Sequence, residues 1–259
     1  KLTEAISLSN SQRVWLFFSE SRTLRHLMDL KELQKDMSKK VIIISNGWLG
    51  DPAFFRERAA AMGSFLTICC DGAIRHLERL NIKPDMIMGD MDSADAAGLK
   101  RFSAGGVRIL KYRPDKDATD TQLALECALG VKPEAIEIWG ALGGRIDHAL
   151  ANLFLLNLGE KAGIKTSLVD EYCEIFTVEK EAFFEESSGQ TVSLFALGSQ
   201  TEGITLQGFQ YPLADETLEM SSSRGISNVI IDSPATIRVN NGSLLVVRYW
   251  RKDIFPEAV

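Results

Sequence analysis

From Val41 to about Asp170 the chain alternates short apolar runs with helical patterns, and this alternation constrains the fold more than any other feature. The runs are Val41–Ser45, Phe65–Cys70, Met86–Met88, Val107–Lys111, Ala135–Trp139 and Thr166–Val169. Several are apolar at nearly every position, which suits strands covered on both faces by helices in a parallel sheet. The intervening helices carry end signals. Asp51-Pro52 reads as an N-cap followed by proline at the first helical position. Thr119 with Gln122 reads as a capping box ahead of Leu123, Ala124, Cys127 and Ala128, with Gly130 as the C-cap.

After about Tyr172 the texture changes to β-type runs broken by Gly, Asn, Ser and Pro: Thr191–Leu197, Gly203–Leu206, Gly225–Asp232, Thr236–Val239 and Leu244–Trp250. Asn241-Gly242 between the last two predicts a hairpin. The expected fold is an N-terminal parallel-sheet, Rossmann-like α/β domain followed by a C-terminal all-β sandwich. Its expected spans are 38–175 and 176–259, with the polar Glu185–Gly189 stretch as the joint. Residues 1–37 precede this plan as an extension with one short apolar run and the helical pattern Leu24, Leu27, Met28 and Leu33. Two readings stay open there, a natural start at Met37 or a packed element.

A chain of 259 residues that is 45% hydrophobic has enough apolar material for one large or two modest cores. A net charge of −6 argues against nucleic acid or an anionic membrane as the main partner and points to a small molecule. Four cysteines without Cys-x-x-Cys spacing or a Cys/His cluster give neither a zinc site nor a disulfide framework. Val14–Phe18 is too short for a signal-peptide core and no span reaches transmembrane length, so the expected location is the cytoplasm.

Acidic clusters fall where strands end or helices begin: Asp71-Gly72, Asp90-Met91-Asp92, Asp117-Ala118-Thr119-Asp120 and Gly143-Gly144-Arg145-Ile146-Asp147-His148. In a parallel sheet such positions converge on one edge. Asp-x-Asp offers closely spaced oxygens to a hard cation such as Mg²⁺, and clustered carboxylates repel one another without one. Singly, each has a plainer reading: Asp90-Met91-Asp92-Ser93 as a turn, Asp120 as an acid favoured by a helix dipole, Asp147 as an N-cap. Gly143-Gly144 lets a phosphate approach backbone N–H groups, and Arg145 can clamp it. The segment lacks the Gly-Lys-Ser/Thr ending of a Walker A loop. His26, His76 and His148 have no metal-ligand spacing, and no nucleophile elbow or Cys/His pair is present.

In this order the segments resemble the thiamin pyrophosphokinase family. The matching text is Cys70-Asp71-Gly72-Ala73, Ile82-Lys83-Pro84-Asp85 leading to Gly89-Asp90-Met91-Asp92-Ser93, Lys116-Asp117-Ala118-Thr119-Asp120, and Gly143-Gly144-Arg145-Ile146-Asp147-His148. Gly208-Phe209-Gln210-Tyr211-Pro212-Leu213 and Gly225-Ile226-Ser227-Asn228 are similar to the family's thiamin-side motifs. The resemblance implies an ATP-binding α/β domain, a β-sandwich and a homodimer with thiamin pockets between subunits. It casts Asp90, Asp92 and Asp120 as Mg²⁺ ligands and Asp71 as a further acid in the cleft. Thr119, Gly144, Arg145 and Asp147 fall on the ATP side, and Tyr211, Ser227 and Asn228 on the thiamin side. Ala73, Met91 and Ser221 depart from the family's usual residues.

The implied reaction is attack of thiamin's hydroxyl on the β-phosphorus of ATP with AMP leaving, catalysed by positioning and charge neutralisation. Asp71, Asp92, Asp120 and Arg145 are the expected catalytic residues. Asp71 and Asp92 are candidates for taking the alcohol proton, although metal coordination makes a carboxylate a poor base. Two rivals are a pyrophosphokinase for another heterocyclic alcohol, such as a hydroxymethylpterin, and a non-catalytic nucleotide-binding sensor. The thiamin-side motifs count against the first and the intact acids against the second.

Overall fold

A computed structural model describes residues 40–92, 96–112 and 117–250. The extension discussed above lies outside them. Strand β1 (Lys40–Ile44) leads to helix α1 (Pro52–Met62), β2 (Leu66–Cys70), a 3-10 turn (Asp71–Ala73) and α2 (Ile74–Leu80). Then come β3 (Met86–Gly89), α3 (Ala96–Ala104), β4 (Arg108–Lys111), α4 (Asp120–Gly130), β5 (Ala135–Trp139), α5 (Ile146–Ala162) and β6 (Lys165–Val169). The strands order themselves β4-β3-β2-β1-β5-β6, all parallel. Val41, Ile42, Ile43 and Ile44 are all fully buried. Successive side chains of a strand face opposite ways, so burial at every position means both faces are covered, as the unbroken apolar runs require.

Helix ends follow local chemistry with two differences from expectation. Asp51 caps α1 by accepting from the Ala53 N–H at 2.8 Å, with Pro52 at the first helical position. Thr119 caps α4 by accepting from the Gln122 N–H at 3.2 Å. The reciprocal half of the capping box does not form, and the Gln122 amide nitrogen donates to Glu126 one turn on. Gly130 remains helical, and Lys132 takes the left-handed conformation instead.

The remaining strands are β7 (Cys173–Val178), β8 (Glu181–Phe184), β9 (Thr191–Gln207), β10 (Leu213–Glu219), β11 (Asn228–Val229), β12 (Ala235–Arg238) and β13 (Asn241–Tyr249). β7 joins β6 antiparallel, so the sheet continues through β7-β13-β9-β12-β8. Thr191–Leu197 and Gly203–Leu206 are parts of one long strand, β9. Its first half pairs with β13 and β11, its second with β12 and β10. β9 thereby passes from one layer of the sandwich to the other. Leu194, Leu244 and Val246 pack with Phe184, Ile204, Leu206 and Ile237 in this second core.

Three sequence expectations change here. Asn241-Gly242 is not a hairpin between paired strands, because β12 and β13 each pair with β9 and the chain changes layer between them. Glu185–Gly189 links β8 to β9, so the α/β part gives way to the β part at Asp170–Tyr172, between β6 and β7. Of Gly225–Asp232 only Asn228–Val229 is strand. The two parts are also tied by side chains: Arg58 reaches Glu174 at 3.7 Å and lies over the Trp250 ring at 4.9 Å, and Phe54 stacks on Trp250 at 5.6 Å. Among the described residues no helix is long and apolar enough to cross a membrane.

Candidate active site

The site begins where β2 and β3 end side by side, with Cys70 opposite Met88. The residue that follows β2 is Asp71, 2% exposed, and each of its carboxylate oxygens accepts a backbone N–H. Oδ1 accepts the Gly72 N–H at 2.5 Å and Oδ2 the Met91 N–H at 2.6 Å. Gly89 makes this approach feasible: its φ is +157°, and a Cβ there would lie 2.3 Å from the Asp71 carboxyl carbon. Met91 takes a left-handed φ of 67°, and Asp90 Oδ1 accepts the Asp92 N–H at 3.2 Å. The turn brings carboxylate oxygens of Asp71, Asp90 and Asp92 within 4.8 Å of one another.

Burial pushes the Asp71 carboxyl above its usual range and the charges of Asp120 and Asp90 add to this, while the Met91 and Gly72 N–H groups oppose it. Asp120 sits in the first turn of α4. It is near enough to act on Asp71 but stands outside the tight triad, in which Asp71 takes its place. Strand register explains this: Asp71 is positioned by a sheet neighbour of β3, whereas Asp120 rides on a helix. Ser45 Oγ and Thr121 Oγ1, 2.7 Å apart, tie that helix start to the end of β1. Three carboxylates at such spacing suit a hard divalent cation.

Across the edge, the β5–α5 connection is bonded to the β1–α1 connection. The Gly47 N–H donates to Gly140 O at 2.7 Å and the Trp48 N–H to Leu142 O at 2.9 Å. A Cβ on Gly47 would meet Gly140 O at 2.5 Å, so the backbones touch only because Gly47 has no side chain. Around Gly144 the space is open. Arg145 is exposed and grips Asp147 in bidentate fashion, at 3.1 and 2.5 Å. The hydrogen bonds from Arg145 hold the Asp147 carboxyl down to about 2. Asp147 lies in the first turn of α5 and is not its N-cap, which is Arg145.

Sequence reasoning missed three neighbours on this edge. Asn46 lies against Gly72, Arg75 donates to Asn46 O at 2.8 Å, and Trp48 is exposed beside the glycine loop. The available signal was Asn46-Gly47 directly after a buried run, the same kind of junction as the acidic clusters.

On the sandwich, Tyr211, Ser227 and Asn228 come together. Asn228 is 6% exposed, and its amide engages backbone in place of an open pocket. Oδ1 accepts from the Tyr211 and Val229 N–H groups at 3.0 and 2.9 Å, and Nδ2 donates to Tyr211 O at 2.7 Å. Ser227 takes a φ of 60° and donates its N–H to Ser193 Oγ at 3.1 Å. The Tyr211 ring remains 61% exposed. Asn228 is thus a latch for the tyrosine loop.

Comparison with known proteins fits this layout. Residues 60–168 match the family model "Thiamin pyrophosphokinase, catalytic domain" and residues 174–244 match "Thiamin pyrophosphokinase, vitamin B1 binding domain". A thiamine pyrophosphokinase of Bacillus subtilis is 32% identical over 169 residues, spanning 64% of this chain and 79% of the relative. The chain belongs to the thiamin pyrophosphokinase family. A rice thiamine pyrophosphokinase is 28% identical over 179 residues, covering 65% of this chain and 66% of the relative. The crystal structure of the Bacillus subtilis thiamine pyrophosphokinase superposes with a TM-score of 0.73 at 28% identity, covering 81% of this chain and 98% of that one. Yeast thiamin pyrophosphokinase, at 18% identity and a TM-score of 0.68, shares the fold. As a member of the thiamin pyrophosphokinase family, the chain is a transferase that forms thiamin diphosphate.

Proposed function

We propose that the protein transfers the pyrophosphoryl group of ATP to the hydroxyl of thiamin, releasing AMP. The α/β part, up to about Asp170, holds ATP, and the β part from Cys173 onward holds thiamin. The observation that carries this reading is the triad of Asp71, Asp90 and Asp92 on the same sheet edge as the glycine loop ending in Arg145. Open parallel sheets bind ligands where neighbouring strands send their connections to opposite faces, which in this order is between β1 and β5. The alcohol oxygen bonds to the β-phosphorus, the bridge to the α-phosphate breaks, and AMP departs with the bridging oxygen.

Asp90 and Asp92, with Asp120 behind them, form the acidic wall. These residues would hold Mg²⁺, which would supply charge neutralisation for the triphosphate. Asp71 works by position, since both its oxygens hold backbone N–H groups and so fix the turn that presents Asp90 and Asp92. Thr119 sets the start of α4, Gly144 leaves room for a phosphate, and Arg145 exchanges Asp147 for a phosphate oxygen when the donor arrives.

Geometry also favours a homodimer. β9, which anchors the thiamin-side residues, stands six strand steps from β2 in the sheet order. At roughly 4.8 Å per step that is about 29 Å within one chain, too far for one small alcohol to bridge. A second copy placing its sandwich over the acidic edge closes the gap. Helix α5 offers an exposed apolar row for such contact in Ile146, Leu150 and Phe154.

Incubation with ATP, Mg²⁺ and thiamin should yield thiamin diphosphate and AMP. ADP with thiamin monophosphate, preferential turnover of a hydroxymethylpterin, or nucleotide binding without product would each overturn the proposal. Asn228→Ala tests the thiamin side. Releasing the Tyr211 backbone costs about 1 to 3 kcal/mol, so KM for thiamin should rise about tenfold or more while KM for ATP stays put. An equal rise in both would remove the loop from thiamin binding.

A further inference from the structure

The β1–α1 connection holds an aromatic group that the roles above leave unused. Trp48 is 65% exposed, yet its root is fixed. Its N–H donates to Leu142 O at 2.9 Å, the two residues form an antiparallel bridge, and the preceding Gly47 is bonded to Gly140. Gly143 has no side chain where the Trp48 stem passes; a Cβ there would lie 2.8 Å from the Trp48 Cβ. The indole is therefore mounted on rigid backbone next to Gly143-Gly144-Arg145.

The position is chemically specific. β1 and β5 are neighbours, but their right-handed connections run to β2 on one side and β6 on the other, hence over opposite faces of the sheet. Trp48 stands at this crevice, with the glycine loop and Arg145 on one side. On the other, Asn46 leads to Gly72 and the acidic triad. A donor whose phosphates lie between triad and glycine loop must send its other end out along the edge. A flat, exposed indole is suited to stacking on a nucleobase, which presents a π-face whatever its hydrogen-bonding pattern.

We propose that Trp48 is the stacking platform for the base of the nucleotide donor, so that it sets the preference for a nucleotide over a bare polyphosphate. The inference deepens, and rests on, the placement of ATP at this sheet edge. Substitution at Trp48 leaves the anchoring bonds in place, since these belong to the backbone.

The test uses the full chain with Mg²⁺ and measures dissociation constants for ATP and for inorganic tripolyphosphate in the wild type, Trp48→Ala and Trp48→Phe. Trp48→Ala should weaken ATP about tenfold or more and change tripolyphosphate by less than about twofold, and Trp48→Phe should recover most of the loss. KM for thiamin should not move. An unchanged ATP affinity in Trp48→Ala, or equal losses for both ligands, would overturn the stacking role. A wild type that binds neither ligand would overturn the placement of ATP as well, whereas one that binds both while Trp48→Ala matches it would overturn Trp48 alone. Sedimentation of each variant checks the remaining alternative: a loss of self-association with ATP affinity intact counts against the proposal.

Discussion

Asp92→Asn is expected to lower kcat about a thousandfold, equivalent to roughly 4 kcal/mol of transition-state stabilisation, while circular dichroism shows an intact fold. Asp92 is exposed, so its charge contributes little to packing. What its backbone provides, the N–H bonded to Asp90, survives the substitution. Near-normal turnover with Mg²⁺ would remove Asp92 from the site. Asp90→Asn should match that loss and add a stability signature. The raised Asp71 carboxyl favours its protonated form in the folded state. Its contribution to stability is therefore present at low pH and fades as pH rises through the raised value. Removing the Asp90 charge relieves part of that shift, so at neutral pH without divalent cation the melting temperature should hold or rise. Added Mg²⁺ should then stabilise the wild type more than the variant.

Gly89→Ala is expected to damage both activity and stability. The added methyl carbon would sit 2.3 Å from Asp71 Cγ and 2.5 Å from Oδ2, at a φ of +157° that side chains rarely adopt. Backbone strain and overpacking together cost about 2 kcal/mol or more, seen as an earlier urea midpoint. Displacing Asp71 shifts the Met91 N–H and the turn carrying both outer carboxylates. Misplacement by about 1 Å lowers kcat about a hundredfold. A variant that is destabilised yet turns over normally would show that Asp71 does not organise the turn. The contrast with Asp92→Asn, inactive but stable, separates the positioning acid from the exposed one.

Strand and helix identities in the α/β part were legible because their signals are local. Unbroken apolar runs report strands buried on both faces, and Asp51-Pro52 and Thr119 satisfy helix N–H groups within a few residues. Convergence of Asp71 with Asp90 and Asp92 was legible as well, since neighbouring parallel strands end on the same edge. The ordered motifs indicated the family.

Other features depended on partners distant in sequence. Asn241-Gly242 has hairpin chemistry, but whether the flanking strands pair is settled by β9, which binds both and keeps them in different layers. Asn228 has the side chain of a ligand-binding residue, and only the fold brings the Tyr211 backbone against its amide. Asp71 rather than Asp120 completes the tight triad because β2 and β3 are in register, a relation between strands that neither sequence segment encodes alone. The sequence by itself determined which residue types stand at the carboxyl edge, because turn chemistry and apolar periodicity act over a few residues. The tertiary structure decided which of them touch, because hydrogen bonds and carboxylate clusters depend on distances of a few ångströms that only strand register and the crossing of loops establish.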